Sequence, residues 1–188
     1  PGVVERIEGF TPDGADAAFL TVRPGNSVTF PRNNVEKCGN FIYAADTRSE
    51  ATELAESACR RVALFLEPGR SETREFLQAE SFAWIPDAFA GAAPKSGPDL
   101  KRIRTEGPVY RLPEGADLGS SDWHGRSLKE TLSLLEGEFP DFRPGERDSL
   151  GGPFWRALFR GGYQGGHWYL ATLRAYLESG RFKEIIQA

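Results

Sequence analysis

The chain has 188 residues, enough for one large domain or two small ones. Hydrophobic residues make up 39% and aromatic residues 12%, which predicts a packed core and argues against a disordered chain. The net charge is −4, and Lys and Arg are spread along the chain. Because a nucleic-acid surface needs clustered positive charge, this composition excludes DNA and RNA as expected partners.

The sequence contains no segment that predicts membrane insertion or secretion. Its longest apolar run, Val62–Leu66, is far shorter than the roughly 18 residues that a membrane span requires. The first residues lack the basic and apolar regions of a signal peptide. Two cysteines, Cys38 and Cys59, are too few for a disulfide framework or a tetrahedral zinc site. We therefore expect a cytoplasmic protein without a membrane partner.

The first part of the chain predicts antiparallel strands. Val3–Ile7 combines apolar and charged residues, which predicts a half-buried strand. Two further β-rich runs, Ala18–Val22 and Ser27–Phe30, lie on either side of Pro24 and Gly25. Pro fixes φ at the first central position of a turn and Gly permits positive φ at the second, so a type II turn is expected here. The pattern as a whole predicts a hairpin.

A strand, a helix and another strand follow. After Phe41–Ala45, Thr47 and Glu50 have the spacing of a capping box, in which each side chain satisfies a main-chain N–H at the beginning of a helix. Helical spacing then predicts a face that packs on the strands at Val3, Ala18, Ser27 and Phe41. That face comprises Leu54, Ala58 and Val62. Val62–Leu66 is the last predicted strand.

From residue 71 onward the sequence predicts helices joined by a long Pro- and Gly-rich connection, with one short strand at Val109–Leu112. The predicted helices are Ser71–Ala83, one that begins at the Ser127/Glu130 capping box, Pro153–Phe159 and Trp168–Ser179. The expected fold is therefore α+β: a small antiparallel sheet with one packed helix, followed by a mainly helical tail. The expected domains are 1–70 and 71–188.

The glycine-rich segment Gly161–Gly166 between the last two helices allows two interpretations. It lacks the Lys and Ser/Thr of a nucleotide-binding P-loop, so it predicts either a helix junction or a loop that faces a substrate or partner. In the second case Tyr163, Gln164 and His167 are the candidate substrate-binding residues. His167 would then lie near the beginning of a helix, where an anionic group is favoured.

No other position predicts a complete site. Asp122 and His124 form a candidate general-base pair, although a turn before a helix explains them equally well. Asn33 marks a polar loop in the first lobe, and Glu136 and Glu138 are expected to be solvated residues at a helix end. With two histidines and no recognisable nucleophile, we expect neither a metal site nor a catalytic residue in this chain.

The stretch from Val3 to Leu66 resembles the carboxy-terminal lobe of ATP-grasp ligases, the group that includes carbamoyl-phosphate synthase, biotin carboxylase and L-amino-acid ligases. The resemblance rests on Val3–Phe10, on the turn at Gly25 and above all on Cys38–Ala51. In that group, a strand after a glycine leads into a helix that starts Thr-Arg-x-Glu-Ala, as Thr47–Ala51 does here.

The resemblance implies that the chain is the carboxy-terminal, non-catalytic portion of a carboxylate–amine (or thiol) ligase. Such enzymes activate a carboxylate as an acyl phosphate, which a nucleophile then attacks. ATP and magnesium would bind to upstream ATP-grasp domains of the same protein, and a small-molecule carboxylate would be the substrate. A homodimer is possible. Two alternatives stay open: a stand-alone binding or regulatory module, and a small enzyme centred on Asp122 and His124.

Overall fold

The structure is a computed structural model that describes residues 1–31, 33–79, 122, 124–140 and 151–179. The chain divides into two compact units, Pro1–Glu67 and Pro68–Ala188. The first contains β1 (Gly2–Glu8), β2 (Ala17–Leu20), β3 (Ser27–Val28), β4 (Gly39–Ile42), α1 (Arg48–Arg61) and β5 (Ala63–Leu66). The second contains α2 (Ser71–Gln78), α3 (Leu128–Glu138) and α4 (Gly151–Glu178). The predicted α+β fold with a helical tail is confirmed.

The core of the first unit forms around β1, the central strand of a three-stranded antiparallel sheet in the order β3-β1-β5. The pairing of β1 with β5 shifts register between Val4 and Arg6. Val4 is fully buried, whereas Ile7 is only half-buried. Ala63 and Phe65 of β5 complete this core, and the Arg6 guanidinium lies 3.8 Å from the centre of the Phe65 ring.

The predicted turn at Pro24-Gly25 is present, but the hairpin predicted around it is wrong. Gly25 has φ 88°, and the Asn26 N–H donates to the Arg23 carbonyl at 3.0 Å. The Gly25 N–H also donates to the carbonyl of Val4, whose own N–H donates to Asn26. These hydrogen bonds join the turn to β1, and the chain continues as β3 beside β1. Strand β2 therefore pairs with a different strand.

That partner is β4, which forms a separate two-stranded antiparallel ladder with β2. Ala17 lies opposite Ile42, and Leu20 lies opposite Gly39. The ladder extends one step further because the Thr21 N–H donates to the Cys38 carbonyl at 2.9 Å. The β-rich lobe therefore holds two small ladders, where the sequence predicted a single sheet.

Helix α1 begins where the sequence predicts, and Ala58 and Val62 of the predicted face lie on its less exposed side, but Leu54 does not. The Thr47 hydroxyl accepts the Glu50 N–H at 3.2 Å and caps the helix. Ala58 is fully buried, whereas Leu54 is 41% exposed. The less exposed positions are Ala51, Ala55, Ala58 and Val62. Their spacing of three to four residues makes a stripe of small side chains, which allows close approach of the helix to the residues that it packs on. Leu54 lies outside this stripe, so its predicted burial is wrong.

The second unit packs α2 and α3 against the long helix α4. The capping box at Ser127 and Glu130 is present in full at the beginning of α3. Leu128, Leu135 and Phe139 are buried. Leu177, near the end of α4, is 47% exposed. The central part of α4 is buried on nearly all sides, as expected of a helix that has neighbours on several faces.

Two arginines of α4 hold the carboxyl end of α2. Arg156 donates to the Gln78 carbonyl at 3.5 Å, and Arg160 donates to the Ala79 carbonyl. The last carbonyls of a helix have no partner within it, so these bonds complete the end of α2. Burial, with a smaller effect of the nearby Arg156 charge, lowers the pKa of Arg160.

Some predictions lie outside the described residues, namely the strand at Val109–Leu112 and the part of the Ser71–Ala83 helix beyond Ala79. None of the helices in the described ranges combines the length and apolar character that crossing a bilayer demands.

Candidate functional site

The glycine-rich segment lies within α4, where a single residue breaks the helix. Gly162 has φ 58° and ψ −145°, whereas the residues on either side are helical. A Cβ atom at Gly165 would lie 2.1 Å from the carbonyl oxygen of Ala157, so this glycine is needed for close packing of the main chain. These contacts explain two of the glycines without a ligand and support the helix-junction interpretation of the segment.

The carboxylate of Asp122 caps the part of α4 that follows the break. One oxygen accepts the main-chain N–H of Tyr163 at 3.2 Å. The other accepts the main-chain N–H groups of His124 at 2.8 Å and Arg126 at 2.9 Å. The structure thus brings Asp122 and His124 together through the His124 main chain, and Asp122 acts as a helix cap. The Asp122 carboxylate thus accepts the N–H of Tyr163, the first residue after the break at Gly162.

Two of the three candidate substrate-binding residues meet at Glu138, the last residue of α3. The Tyr163 hydroxyl bonds one carboxylate oxygen, and Nε2 of His167 lies 3.1 Å from the other. Arg174 fixes the same residue through its main chain by donating to the Glu138 carbonyl at 3.2 Å. We call Glu138, Tyr163 and His167 the Glu138 cluster.

The members of the Glu138 cluster differ in how far solvent can reach them. Tyr163 and His167 are each 5% exposed, whereas the Glu138 side chain is 35% exposed. Gln164, the third candidate substrate-binding residue, is half-buried and therefore more accessible to solvent than Tyr163 or His167.

Aromatic rings and guanidinium groups surround the cluster. The Phe139 ring lies edge-on to His167 at 5.1 Å, and the Arg174 guanidinium lies 4.5 Å from the centre of that Phe139 ring. The Arg126 guanidinium lies 5.2 Å from the centre of the Tyr163 ring. Two guanidinium groups and the two carboxylates of Glu138 and Asp122 therefore lie around these aromatic residues, so their formal charges balance.

Sequence reasoning missed the role of Glu138, which it assigned to a solvated helix end. The residue does end α3, but its carboxylate contacts side chains 25 and 29 positions later in the chain. One local signal pointed to it: Tyr163 and His167 are four residues apart and share a helix face, so a single partner can serve both. The sequence contains nothing that identifies that partner as Glu138.

The remaining candidate positions have local structural roles. The Asn33 side chain accepts the N–H groups of Val35 at 2.9 Å and Glu36 at 3.2 Å, which is a self-contained turn. Burial raises the pKa of both thiols, Cys38 and Cys59, and the Glu56 charge adds to the effect at Cys59. A raised pKa lowers the thiolate fraction and so the reactivity of each cysteine. Among the described residues, no three His, Cys, Asp or Glu side chains converge as metal ligands.

The fold defines the class of the first unit as a small α+β domain with antiparallel ladders and one capped helix. Residues 1–67, about a third of the chain, match the family model described as L-amino acid ligase C-terminal domain 2. The match supports the expected ligase carboxy-terminal segment and ends at the last residue of the first unit. No curated protein and no solved structure matches the chain.

Proposed function

We propose that the chain is the carboxy-terminal, non-catalytic portion of an ATP-dependent carboxylate–amine (or thiol) ligase and completes the substrate side of its active site. The observation that carries the proposal is the match of residues 1–67 to the second carboxy-terminal domain of L-amino acid ligases. The Thr47 cap and the strand that precedes it, on which the sequence resemblance rests, are both formed in the structure. We place the protein in the cytoplasm.

In this proposal the chemistry belongs to domains upstream of this chain. They bind Mg-ATP and transfer its γ-phosphoryl group to the substrate carboxylate, which releases ADP. The nucleophile then attacks the acyl carbon and phosphate leaves. The described residues contribute to binding the substrate through the segment that contains Tyr163, Gln164 and His167. Carbamoyl-phosphate synthase and biotin carboxylase, which belong to the same group of ligases, are more distant comparisons for this division of roles between upstream ATP-binding domains and a carboxy-terminal portion.

Calorimetry tests whether the nucleotide site lies elsewhere. We expect the 188-residue chain to show no binding of Mg-ATP, and the ligase that contains it to bind Mg-ATP with or without residues 1–188. Removal of these residues should abolish substrate-dependent release of ADP. Micromolar affinity of the isolated chain for Mg-ATP would overturn the proposal.

The Gln164→Ala, His167→Ala double variant of the intact ligase tests the substrate role of the second unit. We expect the Michaelis constant for the carboxylate or the nucleophile to rise about tenfold, because remote contacts position the reacting groups. Unchanged folding together with unchanged turnover would mean that the glycine-rich segment is only a joint. A stand-alone regulatory module, the alternative, predicts no dependence of any ligase on residues 1–188.

A further inference from the structure

Strand β2 pairs along only one of its two edges. It forms a ladder with β4 and with no other described strand, and β4 in turn has α1 close to it. The Thr21 N–H donates to the Cys38 carbonyl opposite it. The alternation of an antiparallel ladder therefore turns the main-chain groups of Ala18 and Leu20 away from β4. We call these outward N–H and C=O groups the β2 edge.

The β2 edge lacks the features by which proteins protect exposed strands. Ala17–Leu20 contains no charged residue and no Pro, both of which discourage pairing with another chain. One face of the ladder also exposes apolar side chains, since Phe19 is 48% and Ile42 is 53% exposed. They lie opposite to the face of Phe41, whose ring contacts Phe10 at 5.1 Å. A two-stranded ladder with an open edge and an uncovered apolar face gains stability from a further strand.

We propose that the β2 edge binds the β2 edge of a second copy of this chain, in antiparallel orientation about a two-fold axis. Because paired residues point to the same face of a sheet, identical antiparallel strands pair about such an axis only with one residue opposite itself. With Phe19 opposite Phe19, Ala18 of each copy bonds Leu20 of the other, so all the outward main-chain groups are used. The product is a four-stranded sheet in the order β4-β2-β2-β4.

The same register brings complementary side chains together. The two Phe19 residues form a non-hydrogen-bonded pair, where side chains approach most closely and aromatic pairs stabilise a sheet. Within three positions of β2 and β4, the charged residues are Asp16 at one end of the ladder and Arg23, Glu36 and Lys37 at the other. One end is net negative and the other net positive, and the two-fold axis places unlike ends side by side.

The size of the surface sets the strength of the dimer. Each copy contributes a strand of four residues together with the exposed side chains of Phe19 and Ile42. Specific, stable interfaces use about 20–30 residues from each partner. The β2 edge provides fewer, so the dimer is weak and depends on the concentration of the protein.

Sedimentation equilibrium of the 188-residue chain tests the dimer. Between about 10 µM and 1 mM, where weak complexes form, the average mass of the parent should rise towards twice that of one chain. Ala18→Pro removes an outward N–H but spares the ladder with β4, since proline is tolerated where the N–H of an edge strand is unused. Phe19→Ser removes the aromatic pair. Leu54→Ser, which changes an exposed leucine of α1, is the matched control.

Both β2 variants should raise the dissociation constant of the dimer about tenfold or more, and Leu54→Ser should match the parent. Thermal melts establish that each variant is folded, and Phe19→Ser decides the outcome if Ala18→Pro is not. A parent that stays monomeric at about 1 mM would overturn the proposal. Dimerisation of Phe19→Ser with the affinity of the parent would overturn it as well.

Hydrogen exchange locates the interface. As the concentration of the parent rises, the amides of Ala18 and Leu20 should exchange more slowly, because they become hydrogen-bonded only in the dimer. The Phe41 amide, which the same alternation places on the outer edge of β4, should exchange at an unchanged rate. Slower exchange at Phe41 with no change at Ala18 would assign the dimer to the other edge and contradict the proposal. Protection of Ala18 in the intact ligase but not in the concentrated chain would make an upstream domain the occupant, which excludes a second copy.

Discussion

At Gly162 the main chain adopts φ 58° and ψ −145°, a conformation almost confined to glycine. An added Cβ would also lie 2.9 Å from the Asp122 Cβ, in the residue that caps the following turn. Gly162→Ala should therefore destabilise the protein by about 1–3 kcal/mol from backbone strain alone. Gly137→Ala is the control, because Gly137 lies in α3 with no atom within 4 Å of an added Cβ.

Since alanine favours a helix by roughly 0.5–1 kcal/mol over glycine, Gly137→Ala should be neutral or stabilising. Urea unfolding of both variants measures the difference. Equal stability of the two variants would show that the break at Gly162 is not required by the fold.

Glu130 is a second residue whose effect on stability can be tested, because its carboxylate accepts hydrogen bonds from the hydroxyl and the main-chain N–H of Ser127. These bonds lower the pKa of Glu130 in the folded state. A lowered folded-state pKa means that the contribution to stability is present above the ordinary pKa and is lost as pH falls through the folded-state value.

We therefore expect Glu130→Gln to be less stable than the parent at about pH 7, and the difference to shrink as pH falls below the ordinary pKa of a glutamate, in chemical unfolding across that range. Glu136→Gln, at an exposed position later in α3, should show no such convergence. A difference in the free energy of unfolding between the parent and Glu130→Gln that did not shrink as the pH fell would contradict the role of the charged carboxylate.

At the scale of elements, the parts that the sequence predicted are those that local chemistry determines. The caps at Thr47 and Ser127 involve residues three positions apart, so their spacing alone is sufficient. The pairing of β2 with β4 joins residues about twenty apart or more, and the main-chain groups of the Pro24-Gly25 turn bond to β1 and not to β2. The same limit applies to Glu138, whose partners come from another helix.

Helix α1 illustrates how a large apolar residue can be assigned wrongly to a buried face. Sequence hydrophobicity favoured Leu54, but the helix packs through alanines and leaves Leu54 41% exposed. Leu54→Asp should therefore change the free energy of unfolding by no more than about 0.5 kcal/mol. Ala58→Asp buries an unpaired charge at a fully buried position and should cost several kcal/mol.

Thermal melts of the two variants provide the comparison, since the same residue is introduced four positions apart on one helix. A loss from Leu54→Asp as large as that from Ala58→Asp would restore the prediction that Leu54 is buried.

At the scale of the whole molecule, the boundary of the first unit and the end of the family match fall on the same residue, Glu67. Within this unit, β1 has strands on both sides and β2 pairs with β4. The Glu67 N–H closes the last strand by donating to the Val3 carbonyl at 2.8 Å. The ladders of the first unit thus form without any residue beyond 67.

We therefore expect residues 1–67 to fold when expressed alone, with dispersed amide resonances and slow hydrogen exchange at Val4 and Phe65, which are buried in paired strands. A domain of this length is close to the lower limit for a single core, so its stability should be modest, on the order of a few kcal/mol. Ala58→Asp in the same fragment should be unfolded and serves as the reference for a disordered chain. If the 1–67 fragment shows the same narrow dispersion of amide resonances as that variant, the first unit needs the rest of the protein to fold. The family match would then not mark an independent domain.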